Sequence, residues 1–289
     1  MKKAAVFILL GQSNAVGHGI PMADRDKITE PMKNVFGLSR TLNQSYDNTK
    51  LYWSGYTSAD MNIAEAQDDT YSVANCLARL WQDEIDAGSD LPDLHIVHIA
   101  IGAQGVTEGY MWHPKREKVL KPGGPWRVDI SLYPFCTHIF LLLNDSFKEL
   151  GKEPEFYSLH WRGGENDFTA SDDKFAEIEK IYNTLFNGFY DAIGKRIPTV
   201  LHTFYFNALH PDKESIGCMH KNAINELFNK LASENENIET FDIRKCPLCD
   251  ANAPRDGIYM DDLVHYTPEA NKWVAEQVFK EYKEKILKG

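Results

Sequence analysis

The run Ala4-Ala5-Val6-Phe7-Ile8-Leu9-Leu10 has no polar face, and it leads directly into Gly11-Gln12-Ser13-Asn14. Without alternation it reads as a strand covered on both sides, which is the pattern of a parallel sheet between helical layers. Open parallel sheets carry their chemistry at the carboxyl ends of their strands. Ser13 therefore stands where a nucleophile would be presented. A serine after a strand also serves as a turn residue or a helix N-cap, and this motif alone does not separate the two uses.

The alternation continues along the chain. Residues 94–101, 156–161, 199–206 and 238–242 read as further strands, with helices expected near 71–87, 130–150, 173–194 and 221–233. In the last segment Ala270, Trp273, Val274, Val278, Tyr282 and Ile286 recur near helical spacing, which makes a packing stripe. Thr267 and Pro268 suit its N-cap and first position. Strand and helix in alternation predict an α/β fold, a three-layer α/β/α sandwich with a central, mostly parallel sheet. With 289 residues, 43% of them hydrophobic, the chain can fill one large core. We expect a single domain over 1–289 with loop insertions near 40–70 and 103–127.

Near the end stands Asp262-Leu263-Val264-His265. An acid three residues before a histidine can reach back to the imidazole and set its tautomer and orientation. A serine hydroxyl needs such a base to take its proton, and the imidazolium needs a nearby anion. The same spacing also occurs in plain surface turns, and Asp256 and Asp261 are rival acids.

Taken together, Gly11-Gln12-Ser13-Asn14, Gly102-Ala103-Gln104-Gly105-Val106-Thr107 ending near Trp112, Trp161-Arg162-Gly163-Gly164-Glu165-Asn166-Asp167, and Asp262 with His265 resemble the SGNH hydrolase superfamily. Within it the resemblance is to the sialate O-acetylesterase and acetyl xylan esterase group, carbohydrate esterase family six. That group's blocks read G-Q-S-N, G-G-T before a Trp, W-x-Q-G-E-x-D and D-x-x-H, in this order. Two positions depart from them: Gln104 replaces a Gly, and Gly163 replaces the Gln whose side chain faces the oxyanion. Loss of one oxyanion donor typically costs about a hundred-fold to a thousand-fold in turnover, so a weaker enzyme or a substitute donor is expected, with Arg162 and Asn166 as neighbours able to donate.

The resemblance implies a flavodoxin-like fold and a serine esterase that removes O-acetyl groups from a carbohydrate. Ser13, Asp262 and His265 would be catalytic, with Asp262 preferred because its spacing matches the family block. Ser13, Gly105 and Gly163 would form the oxyanion hole; Gln12, Asn14, Glu165 and Asp167 would support the site. No metal or organic cofactor is needed. The α/β-hydrolase turn G-x-S-x-G is not met, because Ala15 occupies its second Gly.

Two loops are rich in aromatics: Tyr46, Tyr52, Trp53 and Tyr56 in one, Tyr110, Trp112 and Trp126 in the other. Such rings stack on sugars or anchor loops. Trp112 and Arg162 are the expected substrate contacts, and Arg116 and Arg127 are further candidates for pairing with a substrate carboxylate. An esterase of lipids or thioesters on the same fold is the alternative, as is a glycan-binding protein with a decayed hydrolase site, given Gln104 and Gly163.

A net charge of -11 gives no electrostatic footprint for nucleic acid or an anionic membrane, and no segment approaches the ~20 apolar residues of a membrane span. Met1-Lys2-Lys3 before the apolar run imitates a secretory leader, but cleavage after it would remove the strand that carries Ser13. The expectation is a cytoplasmic protein, or one already relieved of a leader. The five cysteines are Cys76, Cys136, Cys218, Cys246 and Cys249. An odd number in a chain of this size predicts reduced thiols, with Cys246-Pro247-Leu248-Cys249 as an ordinary loop rather than half a zinc site. Oligomeric state has no signature in the sequence.

Overall fold

The computed structural model describes residues 1–19, 21–66, 69–122, 128–205, 220–250, 257–262 and 264–288. Trp126, Arg127, Cys218 and Asp256 lie outside them. The chain begins with β1 (Lys2–Gly11) and the short α1 (Ser13–Val16), then β2 (Val35–Leu38), α2 (Arg40–Asn43), β3 (Trp53–Gly55), α3 (Val73–Asp86) and β4 (Asp93–Ala100). A ribbon of β5 (Leu120–Pro122) and β6 (Val128–Ile130) precedes α4 (Leu132–Glu149) and β7 (Lys152–Arg162). There follow α5 (Asp172–Phe175), α6 (Ile178–Ile193), β8 (Thr199–Thr203), α7 (Lys221–Glu234), β9 (Ile238–Asp242) and α8 (Pro268–Lys288).

The main sheet has the order β3-β2-β4-β1-β7-β8-β9, parallel except where β3 joins β2. The five strands expected from the sequence are all present, and among themselves they take the flavodoxin order 2-1-3-4-5. β2 and β3 extend the sheet beyond β4. They were not anticipated, because Val35-Phe36-Gly37-Leu38 is short and interrupted by a Gly, and its pairing depends on the neighbouring backbone of β4. The helix expected over 173–194 is divided into α5 and α6. No helix among the described residues is long and apolar enough to cross a membrane.

β1 explains the layering. Ala4, Val6, Ile8 and Leu10 face one core, with Phe135, Ile139 and Phe140 of α4, Leu185 and Phe186 of α6, and Phe228 of α7. Ala5, Phe7 and Leu9 face the other, with Leu77 and Trp81 of α3 and Val274, Val278 and Tyr282 of α8. A strand with helices on both sides must be apolar at every position, and these β1 residues are fully buried.

The register of β1 places the site. Gly11 lies level with Ala100 of β4 and Arg162 of β7, so three loops leave the sheet at the same height. The carboxyl ends of β1 and β7 mark the point where strand order reverses, the usual place for a ligand crevice. Gly11 has φ of 143°, and a β-carbon there would meet the Arg162 carbonyl oxygen at 2.0 Å. Replacing Gly11 by Ala should therefore destabilise the chain by about 3 kcal/mol or more, read as a lower urea midpoint with an unchanged slope; an unaltered midpoint would show that the strand end is free to shift.

Candidate active site

A cavity of about 890 Å³ opens at this junction, within the range of roughly 300–1,000 Å³ usual for small-molecule sites. Gln12 and Ser13 line it from the loop after β1, Gly102 and Ala103 from the loop after β4, Glu165, Asn166 and Thr169 from the segment after β7, and Asp262, Val264 and His265 from the loop before α8. His18, Gly19 and Glu65 complete the lining. A smaller cavity of about 480 Å³ lies at the opposite end of β1, around Lys2, Lys3, Glu155 and Lys285. It is remote from every motif.

Ser13 is the first residue of α1, and the Ser13 carbonyl accepts the N–H groups of Gly17 and His18 at 3.0 and 3.1 Å. From below, His98 of β4 steadies the turn through Nε2, 2.9 Å from the Ala15 carbonyl. Complete burial holds His98 neutral, its pKa pushed down to about 3, so Nε2 carries the donated proton. The Ser13 hydroxyl makes no hydrogen bond to a described residue.

Asp262 and His265 are joined as the spacing predicts. Asp262 Oδ2 is 2.6 Å from His265 Nδ1, and Oδ1 accepts the backbone N–H groups of Val264 and His265, both at 2.9 Å. Partial burial acts to raise the Asp262 carboxyl, but the His265 N–H and imidazole together with the Val264 N–H overcome it and hold the pKa below the ordinary value. With Nδ1 committed to Asp262, Nε2 is the ring nitrogen left for the cavity. Thr267 caps α8 as expected, its Oγ1 accepting the Ala270 N–H at 3.2 Å.

Asn14 binds the loops to one another. Its Nδ2 donates to Glu165 Oε1 at 3.0 Å and to the Val264 carbonyl at 3.2 Å, while its Oδ1 accepts the Tyr266 N–H at 3.1 Å. Glu165 is half-buried, and the loss of solvent around its carboxyl raises its pKa; Asn14 opposes that shift. Asp167 plays the matching part for the loop after β4. Its carboxylate accepts the N–H of Val106 at 3.0 Å and, from Thr107, the N–H at 2.9 Å and the hydroxyl at 2.8 Å. This close approach explains Gly105, where a β-carbon would come within 2.4 Å of Asp167 Oδ1.

Several residues stand elsewhere than expected. Trp112 is fully buried, donating its indole N–H to the Gly11 carbonyl at 3.0 Å and packing edge-on against Trp161, so it offers no face to a substrate. Arg162 is also buried; its guanidinium lies 4.8 Å over the Tyr266 ring and donates to Asn271 at 2.9 Å, beneath the His265 loop rather than in the cavity. Gly163 does not line the cavity, and its carbonyl accepts the Trp161 indole N–H at 2.8 Å. Gly105 is likewise behind the lining, where Gly102 and Ala103 stand instead, Ala103 with a left-handed φ of 59°.

Most of the described aromatics in these two loops are anchors. Tyr46 bonds to the Val119 and Ser131 carbonyls, Tyr56 to Asn75, and Trp53 packs on His95 and Phe147. Arg116 pairs with Asp129 at 3.1 Å. Sequence reasoning missed His18 and Glu65. His18 carried a signal in its closeness to Ser13, whereas Glu65 lies in a stretch without periodicity. Cys246 and Cys249 are not joined in a disulfide among the described residues.

No family model and no curated protein matches the sequence. Among solved structures the chain superposes on NanS with a TM-score of 0.63 at 16% identity, covering 98% of each chain. It superposes on a protein from Arabidopsis thaliana with a TM-score of 0.58 at 14% identity, covering 97% of this chain and 98% of that one. A looser likeness, TM-score 0.46 at 12% identity over 96% of this chain and 55% of the other, is to a carbohydrate acetylesterase from Xanthomonas citri. The fold class read from the sequence is thus the observed one, and at these identities the likeness establishes the architecture and not a substrate.

Burial raises the Asp167 carboxyl to about 6 despite the N–H groups of Thr107 and Val106 and the Thr107 hydroxyl. Its titration therefore contributes stability that is fully present below about pH 4 and is lost as pH rises through about 6. Asp167→Asn lacks this titration. The stability of the native chain relative to Asp167→Asn should fall by about 2 kcal/mol between pH 4 and pH 7, measured by urea unfolding; a constant difference would show that the carboxyl is not raised.

Proposed function

We propose that this chain is a serine esterase that removes O-acetyl groups from a carbohydrate. The observation that carries the reading is that Ser13 and the joined pair His265–Asp262 line one cavity whose other side chains are mostly polar: Gln12, His18, Glu65, Glu165, Asn166 and Thr169. Side chains able to hydrogen-bond suit a hydroxylated ring better than a long acyl chain. The ionisable groups among the described lining residues are carboxylates and histidines, with no Lys or Arg, which favours a neutral sugar over one that carries its own carboxylate.

In this mechanism Ser13 Oγ attacks the ester carbonyl carbon while His265 Nε2 takes the hydroxyl proton. Asp262, held ionised by its three hydrogen bonds, stabilises the imidazolium. The Ser13 N–H, at the start of α1, is assigned to the oxyanion, while Gly105 stays behind the lining in the loop that Asp167 braces. Collapse of the tetrahedral intermediate breaks the bond to the sugar oxygen, which receives the proton from His265. Water, deprotonated by the same imidazole, then attacks the acetyl-Ser13 carbonyl, and acetate leaves as the serine recovers its proton. Gly163 supplies no side-chain donor. The Gln12 amide, buried at the cavity with Oε1 unpartnered, is the polar group beside that gap.

Purified protein should hydrolyse acetyl esters of sugars with higher kcat/KM than butyryl or octanoyl esters of the same alcohol. Ser13→Ala should lower turnover by at least about a thousand-fold while circular dichroism shows it folded. Asp262→Asn should be far more damaging than Asp261→Asn, because only the acid bonded to Nδ1 sets the tautomer. Wild-type rates in folded Ser13→Ala would remove the serine from the mechanism. A preference for octanoyl esters would move the assignment to lipids or thioesters, and glycan binding without hydrolysis of any ester would support a decayed site.

A further inference from the structure

The cavity contains a second histidine–carboxylate pair. His18 lies just beyond α1, its N–H donating to the Ser13 carbonyl at 3.1 Å. Its Nε2 is 3.6 Å from Glu65 Oε1, too far for a sound direct hydrogen bond. Glu65 is held from its other oxygen, since Oε2 accepts the Gly102 N–H at 2.7 Å and the side chain is only 6% exposed. The His18 ring rests on the Gly102 backbone, where a β-carbon would come within 2.6 Å of Nε2. Its other neighbour is His265, ring centroids 6.0 Å apart and planes at 65°.

An N–H donor and a carboxylate acceptor at this separation satisfy each other poorly. A hydroxyl between them satisfies both, accepting from the imidazole and donating to the carboxylate. A sugar ring supplies such a hydroxyl; an acyl chain or an aryl leaving group does not. The leaving oxygen must lie beside His265 Nε2 to receive its proton, so the hydroxyl on the next ring carbon is directed toward the neighbouring imidazole. We propose that His18 and Glu65 form a subsite for the sugar hydroxyl adjacent to the scissile ester. This rests on the acetylesterase reading and names the part of the substrate that the site recognises.

The test compares a mono-O-acetyl methyl xyloside bearing a free adjacent hydroxyl, its deoxy analogue lacking that hydroxyl, and an aryl acetate. In His18→Phe and in Glu65→Gln the ratio of kcat/KM for the sugar ester to that for the aryl ester should fall about ten-fold. His18→Gln, which restores an N–H, should recover part of the loss. Removing the adjacent hydroxyl should cost the wild type the same factor and cost His18→Phe nothing further. An unchanged ratio, or a deoxy penalty that persists in His18→Phe, overturns the subsite. Titration calorimetry of the acetylated xyloside onto Ser13→Ala, with and without His18→Phe, needs no turnover and should show about ten-fold weaker binding in the double variant; equal affinity overturns the proposal. Absence of wild-type hydrolysis of any acetyl ester would instead defeat the esterase reading, leaving the calorimetry to decide the subsite.

Discussion

The side-chain amide of Asn14 is the contact on which the arrangement depends. Adjacent to Ser13, it uses both of its ends across 151 residues to Glu165 and across 250 and 252 residues to Val264 and Tyr266. Val264 and Tyr266 flank His265, so the imidazole is placed relative to Ser13 through one planar group. A primary amide suits this task because it donates from nitrogen and accepts at oxygen in fixed directions. It is 5% exposed, and buried groups left unpaired by its removal would each cost about 1–3 kcal/mol. The contact is therefore both a structural tie and the group that sets His265 relative to Ser13 in the candidate site.

What Asn14 joins had first to arrive at one height. The parallel register of β1 with β4 and β7 does this, and its tightest point is Gly11, in contact with the Arg162 carbonyl. The second tie, from Asp167 to Val106 and Thr107, closes the loop after β4 against the segment after β7. The Asn14 brace spans three blocks of the sequence motif and the Asp167 brace two. Their acidic and amide residues thus belong to the architecture of the cavity as much as to its chemistry.

The fold was legible because burial on both sides leaves a strong mark: the β1 run and the α8 stripe of Ala270, Val274, Val278 and Tyr282 could hardly be solvent-facing. The Asp262–His265 pair was legible because its bonds are local. Residues whose role depends on long-range packing were not. Trp112 and Arg162 have types that suit sugars and anions, yet they serve the core and the underside of the His265 loop. Nothing local distinguishes a Trp that faces a ligand from one that faces Trp161. Glu65 shows the converse, because it reaches the cavity only through the path of residues 40–70, which carry no periodic pattern. β2 was hidden for the same reason, its four residues being ordered by a partner strand distant in sequence.

Reaction with a fluorophosphonate, followed by peptide mass spectrometry, tests the central claim that Asn14 holds His265 in working relation to Ser13. The account predicts a single adduct on Ser13 in the wild type and an adduct on the same residue, formed at least about ten-fold more slowly, in folded Asn14→Ala. An adduct on another serine, or labelling of Ser13 at the same rate in both chains, would contradict it.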